Sequence, residues 1–133
     1  MPAVNWLAVI AAALSMFVIG GIWYGPLFAK PWQKAAGVSD EQLKNSNIPL
    51  IFGLAFLFSL LMAANLAFLV TATPPLPLGA IVGYAIAAGL GFAALGLGVV
   101  ALFERRPPAY FLINGGYLTV AFAVMGLILG LWR

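Results

Sequence analysis

The side chains able to do chemistry are few in this 133-residue sequence. Its acids are Asp40, Glu41 and Glu104, and it contains neither Cys nor His. Without Cys there is no disulfide, iron–sulfur cluster or thiol nucleophile. Without His there is no imidazole base and no His-ligated metal or haem. Asp40 and Glu41 are adjacent, a poor arrangement for flanking a substrate, and Ser15 and Ser59 have no base to activate them. The sequence therefore predicts no catalytic residues, no metal site, no cofactor and no enzyme activity. What remains is a set of uncharged polar side chains inside apolar stretches. Asn5, Asn65 and Tyr84 fall toward one end of those stretches, Ser15, Ser59, Tyr117 and Thr119 near the middle, and Tyr24, Tyr110 and Asn114 toward the other end. In lipid such groups either line a pathway or bond between helices, the latter contributing about 0.6 kcal/mol each on average. With no ionisable residue beside them, interhelical bonding is the favoured reading.

The elements that carry these residues follow from composition. Hydrophobic residues make up 65% of the chain and charged residues 7%, against roughly 45–50% and 25% in a soluble domain. A 14.0 kDa globule cannot bury that much apolar surface. The same composition excludes disorder. Crossing a bilayer takes about 20 mostly apolar residues in a helix. Four stretches qualify: Val4–Tyr24, Pro49–Val70, Leu78–Phe103 and Ala109–Trp132, none with Asp, Glu, Lys or Arg in its interior. They are too long and continuous for the strands of an outer-membrane barrel. The expected architecture is an all-α membrane protein, residues 1–133 forming one compact four-helix transmembrane domain. The first stretch lacks the basic leader of a cleavable signal peptide and exceeds its usual apolar length.

Charge sets an expected orientation. Lys30, Lys34 and Lys44 lie in the first loop and Arg105 and Arg106 in the third, leaving Arg133 as the exception. Basic loops stay cytoplasmic, so both termini should face outward. Trp6 and Trp23 are separated by about 26 Å of helix at roughly 1.5 Å per residue, near the spacing of the two interfaces that Trp favours. The net charge of +3 is spread between spans and gives no basic domain for nucleic acid.

Within the first loop, Pro31 and Gly37 bracket a short helical piece containing Trp32 and Lys34. After it, Ser39 and Gln42 have capping-box spacing, and Val38 and Leu43 staple spacing. A short interfacial helix is expected there. Helices associate in lipid through small residues. The third span has two small-residue stripes, one with Gly79, Gly83, Ala87 and Gly91, the other with Ala85, Gly89, Ala93 and Gly96. That pattern predicts the third span at the bundle centre.

Two stretches are specific enough to carry a resemblance. One runs Gly20-Gly21-Ile22-Trp23-Tyr24-Gly25-Pro26-Leu27-Phe28, followed by Lys30 and Trp32; the other is Phe111-Leu112-Ile113-Asn114-Gly115-Gly116-Tyr117. With Asn5-Trp6 and Glu104-Arg105-Arg106-Pro107, the whole chain resembles the bacterial family called domain of unknown function 1761. The resemblance implies a small four-helix integral membrane protein and no particular activity. It makes the bacterial cytoplasmic (inner) membrane the expected location. Gly21, Trp23, Tyr24, Pro26, Asn114, Gly116 and Tyr117 become candidate structural or ligand-contact positions. Asn114 is expected to hydrogen-bond near Gly21–Pro26, with a lipid headgroup as the rival partner. The expected role is non-enzymatic: a homo-oligomer or accessory subunit of a membrane complex, in contact with lipids. The alternative is a small transporter or channel for an anion or neutral solute.

Overall fold

The structure, a computed structural model, describes residues 4–72 and 74–132. Four long apolar helices are candidate membrane spans: α1 (Trp6–Leu27), α4 (Ile48–Ala72), α5 (Leu78–Phe103) and α6 (Pro108–Leu131). Two short helices, α2 (Ala29–Ala36) and α3 (Asp40–Lys44), fill the loop between α1 and α4.

Local sequence explains how each begins and ends. Asn5 caps α1, its side chain accepting from the Ala8 N–H at 3.2 Å. The same side chain donates to the Trp132 carbonyl at 3.1 Å, so the start of α1 and the end of α6 lie together. Pro26 does not end α1 directly. Trp23–Leu27 widens into a π-helical turn closed by Phe28 N–H to the Trp23 carbonyl at 2.9 Å. The wider turn accommodates a residue with no N–H to donate. α3 has the expected capping box, with Ser39 Oγ accepting from Gln42 N–H and Gln42 Oε1 from Ser39 N–H. α2 ends at Gly37 in the left-handed region, with φ at 70°. There Gly37 N–H bonds the Lys34 carbonyl and Val38 N–H the Gln33 carbonyl, the Schellman arrangement. α5 ends the same way, from Arg105 N–H to Leu102 and Arg106 N–H to Ala101.

The spans stand side by side in the order α4, α1, α6, α5, while α4 and α5 hardly approach each other. The centre is thus α1 and α6, not α5. α6 is the most covered span and α5 the least. The core is rich in alanine: Ala8, Ala12, Ala13, Ala63, Ala67, Ala85 and Ala121 pack with Met16, Phe122, Met125 and Leu129. Of the two small stripes on α5, only part faces α6. A Cβ on Gly89 would lie 2.5 Å from the Phe122 Cβ, whereas Gly79, Gly83, Gly91 and Gly96 have nothing within 4 Å. On α6, a Cβ on Gly126 would lie 2.4 Å from the Ala85 Cβ. Between α4 and α5 lies a cleft of about 400 Å³, walled by Met62, Leu66, Leu69, Phe92 and Phe122, with Asn65 at its side.

This packing separates the glycines by function. Gly89→Ala or Gly126→Ala should lower stability by about 1–3 kcal/mol through overpacking. Gly83→Ala should be neutral or stabilising by up to about 1 kcal/mol, the helix-propensity difference. Unfolding in detergent, compared across the three variants, checks the ranking.

Candidate functional site

The two quoted stretches meet at the loop end of α1 and α6. Trp23 and Tyr24, neighbours in the π-helical turn, straddle α6. The indole N–H of Trp23 donates to the Ile113 carbonyl at 2.8 Å. Its ring covers Gly116, where a Cβ would come within 3.2 Å of the ring, so a side chain there would press the ring back by a few tenths of an ångström. The Tyr24 hydroxyl donates to Asn114 Oδ1. One turn further along α6, the Tyr117 hydroxyl donates to the Met16 carbonyl at 3.0 Å. That hydroxyl rests against Gly20, 3.1 Å from where a Cβ would stand.

An aromatic layer encloses these bonds. The Tyr24 ring stands edge-on to Tyr117, with centroids 5.3 Å apart, and to Trp32 of α2 at 5.7 Å. Trp23 lies against Phe28 at 5.1 Å. α2 packs on α6, which brings Trp32 to the cluster. Asn114 is 7% exposed, and its Nδ2 is buried without a hydrogen-bond partner.

Five of the seven candidate positions therefore come together: Trp23, Tyr24, Asn114, Gly116 and Tyr117. Gly21 and Pro26 do not join them. Gly21 has nothing within 4 Å of a Cβ, and both residues are exposed. The glycine that allows close approach is Gly20. Asn114 reaches the Gly21–Pro26 segment through a side chain, Tyr24, and not through freed backbone. Sequence reasoning missed the Ile113 and Met16 carbonyls, since every residue has one and none is marked. Trp32 was legible as part of the short helical piece between Pro31 and Gly37.

Of the mid-span hydroxyls Tyr117 bonds to another helix, and the other three bond within their own. Ser15 donates to Ala12, Ser59 to Ala55 and Thr119 to Gly115, all carbonyls three or four residues back. For these three the bonding differs from the expected interhelical kind, which Tyr24, Asn114 and Tyr117 do show. A short side chain reaches the preceding turn of its own helix more easily than a neighbouring helix.

The cluster contains hydroxyl, amide and indole groups and no ionisable acid or base of ordinary strength. Among the described residues no group of three or more His, Cys, Asp or Glu could hold a metal ion. Its chemistry is hydrogen bonding: it joins α1 to α6 and leaves one buried amide donor at Asn114.

The family model described as "Protein of unknown function (DUF1761)" matches residues 7–130, nearly the whole chain. The chain belongs to that family. No curated protein and no solved structure matches it.

Coupling across the cluster is measurable. In a double-mutant cycle of Tyr24→Phe and Asn114→Leu, the interaction energy should fall at about 0.6–1.7 kcal/mol, the range of interhelical bonds in membranes. Strict additivity of the two variants in detergent unfolding would show that the pair contributes no coupling.

Proposed function

We propose that this member of the family acts as a non-enzymatic assembling unit of a membrane, either a homo-oligomer or an accessory subunit of a larger membrane complex. The supporting observation is the open face of α5. Gly79, Gly83 and Gly91 recur along it with no neighbour within 4 Å of a Cβ. Small residues let two helix backbones approach closely in lipid, and among the described residues no other helix uses that face. The cleft between α4 and α5 leaves further apolar surface of α5 free.

Transport of an anion or neutral solute is the alternative, and Asn65 beside the cleft is the observation that favours it. It has less support, because Ser15, Ser59 and Thr119 direct their hydroxyls into their own helices.

The proposed location is the bacterial inner membrane with both termini outward. The basic residues of the first and third loops support this orientation. Those loops lie at one end, since Arg106 of the third donates to the Ala36 carbonyl of the first at 2.8 Å.

Native size in mild detergent should exceed that of a monomer, and Gly83→Leu with Gly91→Leu should reduce it without lowering monomer stability. A strict monomer with no co-purifying partner would reject the assembly reading. Solute flux into liposomes above that of empty vesicles would favour transport instead. For the orientation, single cysteines at residues 40, 75 and 106 can be tested with an impermeant thiol reagent in intact cells. Residue 75 should label and the other two should be protected.

A further inference from the structure

The loop end of the bundle carries two local arrangements that disfavour folding unless something answers them. The first is at Arg105. In the Schellman turn that closes α5, this residue occupies the left-handed position, with φ at 62°. The equivalent position after α2 is Gly37, the residue type that fits without steric penalty. Arg105 is the one non-glycine at positive φ among the described residues. Backbone strain of this kind is costly and clusters at ligand clamps and other working sites. The second arrangement is on α2, where Lys30 and Lys34 stand four residues apart on one face. Like charges at that spacing repel each other.

These three cations are exposed and have no side-chain partner among the described residues. The nearby carboxylates are otherwise disposed. Asp40 accepts from Gln33 at 2.7 Å, and Glu104 lies 3.8 Å from Arg106. Glu41 is on α3, a short helix that makes little contact with the spans. The bond from Arg106 to the Ala36 carbonyl ties the turn that holds Arg105 to the end of α2, two residues past Lys34.

Depth identifies the partner. Phe103 and Leu102, immediately before the turn, are 83% and 75% exposed, so apolar side chains meet the surroundings just below Arg105. The aromatic layer of Trp23, Tyr24 and Trp32 lies at the same end. Trp and Tyr settle at headgroup level. We propose that Lys30, Lys34 and Arg105 form a docking surface for the phosphates of anionic bilayer lipids. Phosphodiesters with no compensating cation of their own offset the repulsion within the lysine pair and pair with the guanidinium, which zwitterionic headgroups do less well. The proposal stands independently of self-association.

The test is lipid retention by the purified full chain in mild detergent. The protein is exposed to equal amounts of phosphatidylglycerol and phosphatidylcholine, and the bound lipid is counted by native mass spectrometry. The wild type should retain phosphatidylglycerol several-fold over phosphatidylcholine. Lys30→Gln with Lys34→Gln and Arg105→Gly should bring the ratio close to one. Glycine is chosen at 105 because it suits the turn, so thermal stability without added lipid should not fall on that account. A second measurement needs no variant: raising salt from about 0.1 M to several times that screens exposed charges and should erode the wild-type preference. Equal retention of the two lipids by the wild type, an undiminished preference in the triple variant, or a preference indifferent to salt would each overturn the proposal.

Discussion

Where Gly126 of α6 meets Ala85, and where Phe122 fits against Gly89, α5 and α6 lie too close for any larger side chain at those glycines. Apolar surface gives helices no reason to associate when the solvent is itself apolar, so such close approach must supply the cohesion through dispersion and packing. The rest of the bundle follows from it. α6 meets α5 through these contacts on one side and α1 through alanines on the other. The hydrogen bonds at the two ends, Asn5 to Trp132 and Trp23 and Tyr24 to α6, then fix how far each helix can slide. Van der Waals contact decides which faces meet, and polar contacts decide the register.

Much of this was legible. The number of spans follows from length and apolarity, and α3 from the Ser39–Gln42 spacing, because both depend on local sequence. The bundle centre was not. Glycines on α5 signal either a close neighbour or an unused face, and the sequence of one helix does not distinguish the two. Gly89 has Phe122 against it while Gly83 has nothing. The missing information lies on the partner helix. A better signal was available in α6 itself, where Asn114, Tyr117 and Thr119 gather within six residues: polar side chains at such density avoid lipid and mark the covered helix.

The cluster at the loop end was partly readable for a similar reason. Trp23, Tyr24 and Asn114 stand out as residue types, and their juxtaposition was foreseen. Their exact connections were not, since Trp23 bonds to a carbonyl and Tyr117 to another, and backbone acceptors carry no residue label. Pro26 bears on the end of the first span, which was expected at Tyr24. Proline within a helix suggests a stop, but a widened turn absorbed it and carried α1 on to Leu27.

The order α4, α1, α6, α5 has a bearing on how the protein is made. Synthesis proceeds from the N-terminus, so the helix with the most neighbours is the last of these four spans to leave the ribosome. Until α6 inserts, the Met16 carbonyl has no tyrosine, Tyr24 no amide, and α5 no helix to pack against. The first three spans must therefore wait in the bilayer as a loosely held set, with α1 and α4 as their one substantial contact. The fourth span then closes the set of four much as a keystone closes an arch.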